Sequence, residues 1–304
     1  MSEPAFVRRR RLKTLVTRLG LRTPRLIRIR DAGLRAARVS VGAPVAFLLN
    51  RLPLAARLAA LDRVRRTPRP IDFADARLYL DITSEAERLR LRPCAKEPET
   101  VEWLLAHAGE GLVLYDIGAN VGVYSLIAAA IHPATRVVAF EPAHTTYPRL
   151  VDNIRVNAVG DRVTPLQIAL GDRTGILPFA YARLDPGAAD HPGIMQGSDK
   201  GSVARHSVLC YRLDDLVSSF QLPMPTLLKL DVDGAELAVL VGATKTLRTP
   251  QLKSVLVELR DDDERSTAAE RLLQAAGFRE AASRVHSGGA VRNAIWSRDG
   301  GGGP

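Results

Sequence analysis

Cysteine is almost missing: Cys94 and Cys210 are the only two in 304 residues. Their spacing matches neither a zinc site nor a redox pair, which rules out a disulfide framework and points to a reducing compartment. Aromatic residues are also scarce, at 5%. They are not interleaved with the basic residues, and no recognised binding motif is present, so nucleic acid is disfavoured as a partner. No uninterrupted apolar stretch reaches the roughly 18 to 20 residues of a membrane-spanning helix. The first residues lack the apolar core and small-residue cleavage site of a secretory signal, so the cytoplasm is the expected location. There is no internal repeat.

Acidic residues are depleted at one end. Residues 1–70 hold 18 Lys and Arg against 3 Asp and Glu, so this stretch accounts for the whole net charge of +10. Arg8, Arg9, Arg10 and Arg11, and the arginines through Arg38, are interspersed with Leu, Val and Ile; Val45 to Leu61 is mostly apolar, broken by Arg51 and Arg57. The pattern predicts a basic, largely helical N-terminal extension over 1–70. It suits either a peripheral helix on an anionic membrane surface or a contact with a protein partner. Residues 71–95 read as a linking segment with an outlying strand at Ala76 to Asp81, 96–297 as the main domain, and 298–304 as a disordered glycine-rich tail.

Within the main domain, Leu112 to Gly122 joins an apolar run to a carboxylate, two glycines and a helical pattern. That is a parallel strand turning into a helix, the place where an α/β sheet binds a nucleoside-containing cofactor. Asp116 ends the strand, Gly118 relieves the turn, and Gly122 sits in the first turn of a helix starting near Val121, where it allows close approach to the strand. Asn120 stands where a dinucleotide site prefers a second glycine, so no diphosphate is required. The next strand, Arg136 to Phe140, stops at Glu141, whose two oxygens can accept both hydroxyls of a ribose. NAD and S-adenosylmethionine both carry such a diol, but nearby carboxylates favour a sulfonium and repel a pyrophosphate. Arg162 to Leu170 reads as a third strand, with Pro165 placing its first residues at an edge or before the ladder. At its end Ala169 and Leu170 can face an adenine and Asp172 can accept from its amine, although an ordinary Gly-Asp turn explains Asp172 equally well.

A second polar cluster, Lys229 to Glu236, also lies where a strand becomes a helix. Alternation puts Lys229 and Asp231 on one side. Asp231 can hold an acceptor hydroxyl or take its proton, and Lys229 can orient that carboxylate. Asp233 and Glu236 have the spacing of a capping box, with a catalytic part for both as the alternative. Asp231, Asp233, Glu236 and Glu258 offer oxygen ligands for magnesium or calcium, but capping accounts for two of them and no metal is expected. Asp214 and Asp215 read as the cap of a short helix. His191 and His206, in a long loop between extended runs, are open as ligands or bases or as exposed loop residues. With a strand at Ser254 to Leu259, a helix from about Ala268 to Ala276 closed by Gly277, and a hairpin through Val291 to Trp296, the pattern predicts a sheet of about seven strands.

Asp116-Ile117-Gly118-Ala119-Asn120-Val121-Gly122, Phe140-Glu141-Pro142, Ala169-Leu170-Gly171-Asp172 and Lys229 to Glu236, in this order, resemble the FkbM family of S-adenosylmethionine-dependent methyltransferases. The resemblance implies a Rossmann-like class I methyltransferase fold, α/β, with a seven-stranded mostly parallel sheet, a C-terminal antiparallel hairpin and helices on both faces. It implies S-adenosyl-L-methionine as cofactor, shaped by Asp116, Gly118, Asn120 and Gly122 and held at the ribose by Glu141, with the 229 to 236 cluster facing the methyl group. The activity implied is O-methylation of a hydroxyl on a sugar, glycan or other small natural product. Asp233 departs from the pattern, since the family often has Glu there. An NAD-dependent oxidoreductase and a non-catalytic binding protein on the same scaffold are the rival readings.

Overall fold

Alternate residues of the central strands divide into two apolar layers, and that division orients the site. In the computed structural model the described residues are 44, 47–65, 68–188, 193–194, 202–261, 263–285 and 290–298. The expectations for the leader before residue 44, for His191 and for the tail from residue 299 lie outside them. The chain forms two units, residues 1–64 and 65–304. The first contains most of helix α1 (Leu54–Arg65). Phe47, Leu48, Leu52, Leu54 and Leu58 are all exposed there. No helix among the described residues is long and apolar enough to cross a membrane.

The second unit opens with an antiparallel pair, β1 (Pro68–Pro70) and β2 (Tyr79–Asp81), and helices α2 (Glu85–Leu89), α3 (Pro93–Lys96) and α4 (Pro98–Ala106). Strand and helix then alternate through β3 (Val113–Ile117), α5 (Val123–Ile131), β4 (Arg136–Phe140), α6 (Tyr147–Val156) and β5 (Val163–Leu166). After β6 (Ala169–Leu170), β7 (Gly175–Tyr181), β8 (Gly193–Ile194) and β9 (Ala204–Tyr211), the alternation resumes with α7 (Leu213–Phe220), β10 (Leu227–Leu230), α8 (Glu236–Gly242), β11 (Ser254–Arg260) and α9 (Glu264–Ala275). The hairpin β12 (Arg279–Val285) and β13 (Val291–Ser297) ends the sheet.

The main sheet has seven strands in the order β12-β13-β11-β10-β3-β4-β5. It is parallel from β11 to β5 and antiparallel at the hairpin. The expected α/β fold is therefore present, including the hairpin. The strand order reverses between β3 and β10, and a crevice at the carboxyl ends is the usual ligand site at such a reversal. Leu114, Val137, Leu227 and Leu256 pack on one face with α5 and the hydrophobic residues Ile71, Phe73 and Leu80. Tyr115, Val138, Leu228 and Val255 pack on the other with Leu240, Leu273 and Trp296.

Several local expectations change. The third strand is broken: β5 keeps Pro165 on the sheet edge, but Ala169 and Leu170 leave to join a separate four-stranded sheet, in the order β6-β9-β7-β8. An edge strand tolerates proline because only one side of it needs a full ladder. Asp214 does not cap its own helix; its carboxylate accepts from the backbone N–H groups of Lys245 and Thr246 at 2.8 Å each. Gly277 closes α9 with φ +90°, as a left-handed C′ glycine should.

Residues 71–97 are fastened to the sheet through α6. The amide groups of Asn153 and Asn157 accept from the backbone N–H of Asp81 (2.9 Å) and Tyr79 (2.8 Å). Arg149 pairs with Asp81 at 3.1 Å and Glu87 at 2.7 Å, where the arginine side chain is only 12% exposed. Replacing this hub by an apolar side chain leaves two buried carboxylates without their cation. Arg149→Met is expected to cost about 3–5 kcal/mol in urea unfolding; a loss below about 1 kcal/mol would mean that the pairing is not what holds residues 71–97 in place.

Candidate active site at the strand ends

The loop after β3 is drawn tightly over the sheet. Gly118 has φ +79°, and a Cβ on it would lie 1.8 Å from the carbonyl oxygen of Asp231, so no other residue fits without moving the backbone. The N–H groups of Gly118 and Ala119 donate to the carbonyl of Phe140 at 3.0 and 2.9 Å, tying the loop to the end of β4. Gly122 is the left-handed N-cap of α5, which starts at Val123. A Cβ there would meet Leu150 Cδ1 at 2.5 Å. Helix α6, rather than the strand, therefore makes the close approach that the sequence suggested.

Glu141 follows β4 and is buried. Its Oε2 accepts from the N–H of Asn120 at 2.9 Å and its Oε1 from that of Ala143 at 2.8 Å. Burial pushes its pKa up to about 7, against the opposing pull of these two amides. Asn120, with φ +52°, donates from its side chain to the carbonyl of Ala188 at 3.0 Å.

The second cluster centres on a buried ammonium. Register aligns Lys229 of β10 with Asp116 of β3, so both side chains fall on the α5 face. Lys229 Nζ lies 3.1 Å from Asp231 Oδ2 and 3.8 Å from Asp116 Oδ1, and 5.1 Å from the centre of the Tyr124 ring. Burial alone would lower the lysine pKa, but Asp231, Asp116 and Glu97 more than offset it and keep the ammonium charged. Asp116 takes a 2.6 Å hydrogen bond from the Ser125 hydroxyl; burial raises its pKa against the pull of Lys229. Burial likewise acts to raise the pKa of Asp231, yet Lys229, Arg90 and Lys96 bring it below the ordinary carboxylate value. Glu97 closes the group, paired with Lys96 and accepting from the Tyr124 hydroxyl at 2.8 Å.

A cavity of about 580 Å³ opens between these clusters. This is an ordinary size for a small-ligand site. Gly118, Asn120, Glu141, Ala169 and Leu170 line it, together with Asp231, Asp233 and Glu258. A narrow extension is bounded by Tyr124, Lys229, Arg90 and Lys96. The sequence reading thus placed six of its site residues on this wall or extension before Lys229 is added, and it missed Arg90, Lys96, Glu97 and Tyr124. No spacing marks those four, because they come from the C-cap of α2, the α3–α4 junction and the first turn of α5.

Asp116, Gly122, Asp172 and Glu236 do not line the cavity. Asp172 points outward to an ion pair with Arg173 at 3.0 Å. Asp233 has φ +54° and is not an N-cap; α8 starts at Glu236, with Ala235 before it. The capping box is replaced by a fold-back in which Glu236 Oε1 accepts from the N–H groups of Val232 (3.2 Å) and Gly234 (3.1 Å). Burial raises the Glu236 pKa despite those bonds. His206 sits on β9 against His144 and Tyr181, with ring centres 4.2 and 5.4 Å away. No group of three or more metal-ligating side chains occurs among the described residues.

A model of the methyltransferase FkbM domain matches residues 116–280, more than half of the chain. The chain belongs to the FkbM family. Three relatives agree with that placement. Hexuronic acid methyltransferase AglP of Haloferax volcanii is 30% identical over 194 residues, which cover 64% of this chain and 75% of that protein. The 31-O-demethyl-FK506 methyltransferase FkbM of Streptomyces tacrolimicus is 29% identical, over 55% of this chain and 73% of its own. Methyltransferase sdnD of Sordaria araneosa is 29% identical, over 54% and 73%. This FkbM-family protein is an S-adenosylmethionine-dependent methyltransferase, and the NAD-dependent reading is set aside. The cavity wall suits that donor: it has carboxylates for a cationic sulfur and for ribose hydroxyls, and an apolar stretch at Phe140, Ile168, Ala169 and Leu170 for a flat ring.

The buried ammonium gives a direct test of the second cluster. Lys229→Met strands Asp116 and Asp231, leaves Glu97 to Lys96 alone, and is expected to lower stability by about 3–5 kcal/mol at neutral pH. The deficit should shrink as the pH is lowered and the stranded carboxylates take up protons. A deficit that does not depend on pH would assign the loss to packing rather than to charge.

Proposed function

We propose that this methyltransferase transfers its methyl group to a hydroxyl of a sugar, glycan or other small natural product. The carrying observation is that Asp231, Asp233 and Glu258 face the same cavity as Gly118, Asn120 and Glu141. Carboxylates accept hydrogen bonds, and a polyhydroxylated acceptor offers O–H donors in number. The names of two relatives support the substrate class: one is a methyltransferase of a hexuronic acid, a sugar with hydroxyls beside its carboxylate, and one of a demethylated FK506 oxygen.

In this reading Glu141 accepts from the ribose hydroxyls, Ala169 and Leu170 lie along the adenine, and the Gly118 to Asn120 loop allows the donor close to the backbone. S-adenosylmethionine supplies a methyl group already activated by its positively charged sulfur. The protein's own task is then to hold the acceptor oxygen in line, keep water out and receive a proton. Asp231, fixed by Lys229, orients the acceptor hydroxyl. Asp116, Gly122 and Glu236 act from beneath, by holding the loops that shape the wall.

The test is methyl transfer from isotopically labelled S-adenosylmethionine to a panel of glycosides that includes hexuronic acids, since these offer both hydroxyls and a carboxylate. The expected product is a methyl ether, which survives mild alkali. A label released by saponification would mean an ester, and label that reaches no panel member would also contradict the hydroxyl reading.

A further inference from the structure

We propose that Glu258 is the group that receives the proton of the acceptor hydroxyl, with Asp231 as its positioning neighbour. This rests on the hydroxyl reading above, since a carboxylate acceptor carries no proton to remove. Glu258 belongs to β11, where alternation puts Leu256, Glu258 and Arg260 on one face. Leu230 pairs with Val257, so Glu258 stands level with Asp231 across the strand ends. Both line the cavity, as do Asp233 and Arg260.

The two carboxylates differ in what they are bound to. Asp231 is 3.1 Å from a buried ammonium, and its charged form is the favoured one. A carboxylate so neutralised has little affinity for a proton. Glu258 is half-buried, and none of the described residues hydrogen-bonds or ion-pairs with its carboxylate. Burial first, then the negative charges of Asp231, Asp233 and Glu236, raise its pKa to about 8, with Lys229 opposing. Its proton affinity therefore lies close to neutral pH, where a general base works best. Arg260, two residues on, is the charged neighbour on its own strand.

The step balances simply. The acceptor O–H bond breaks and its proton passes to a Glu258 oxygen. The oxygen's electron pair forms the new bond to the methyl carbon, and the pair of the broken carbon–sulfur bond remains on sulfur.

With its pKa raised to about 8, Glu258 is expected to hold a proton at pH 7 before the donor binds and to ionise when a positive charge is placed beside it. S-adenosylmethionine and S-adenosylhomocysteine share the ribose and adenine but differ in charge at sulfur, so Glu141 responds alike to both. Calorimetry at pH 7 in buffers of different ionisation enthalpy should show more proton release with S-adenosylmethionine than with S-adenosylhomocysteine. Glu258→Gln should abolish that difference while keeping S-adenosylhomocysteine affinity within about threefold of the wild type. With the acceptor found in the glycoside panel, the same variant should lose about 100-fold or more in kcat. The wild-type kcat/KM for S-adenosylmethionine, which reports the donor-free enzyme, should also rise with pH along a limb near 8 that the variant lacks. Equal proton release for the two ligands in the wild type, or a variant that retains either the difference or the turnover, would overturn the assignment. An ester product would instead overturn the hydroxyl reading, while the proton-release comparison still decides whether Glu258 faces the sulfur. Should Glu258→Gln unfold, the wild-type comparison and its pH limb still carry the decision.

Discussion

The site depends on one buried positive charge. Lys229 brings its ammonium to the end of a central strand at 2% exposure, a position that is unfavourable unless anions surround it. Asp231, Asp116 and Glu97 provide them, each from a different element. That demand positions four segments at once: the start of the β10–α8 turn, the end of β3, the first turn of α5 through Tyr124 and Ser125, and the junction between α3 and α4. The cavity wall is the outer side of this arrangement. Its polar groups are accordingly held by charge pairing as well as by packing.

Electrostatics also divide the labour among the carboxylates. Asp116 and Glu236 satisfy buried structure, Asp231 is neutralised by Lys229, and Glu141 and Glu258 are left with raised pKa values of about 7 and about 8 facing the cavity. A pair of acids poised near neutrality in a cleft is a feature of sites that bind or move protons. Part of the wall comes from before residue 116, where the family match begins. Arg90 and Lys96, from the segment that Arg149 and Asn153 fasten to α6, border both the cavity and its narrow extension. Positions so far outside the shared core are where relatives with one fold can differ in what they accept.

Much of this is legible in the sequence, and the reason is periodicity. The apolar strands at Val113, Arg136, Leu227 and Ser254 and the carboxylates that end them follow alternation and turn rules that act locally. The glycine at 118 is equally readable as a strained turn, but its cause is not: the carbonyl that forbids a side chain belongs to Asp231, far along the chain. Contacts of that kind explain the misreadings too. Gly122 answers to Leu150, Asp214 to Thr246, and Glu236 to the amides before it rather than to a capping box. Glu97 and Arg90 have no local signature, because only the folded sheet brings them to Lys229. Pro165 was informative about the edge, yet nothing in the composition announces that Ala169 and Leu170 leave for a second sheet.

The most direct test of the account is an experimental structure with S-adenosylhomocysteine bound. The ribose hydroxyls should meet Glu141, the adenine should lie beside Ala169 and Leu170, and the sulfur should face the side of the cavity that carries Asp231 and Glu258. A nucleoside bound with its ribose away from Glu141, or a sulfur turned from the β10 and β11 ends, would contradict it.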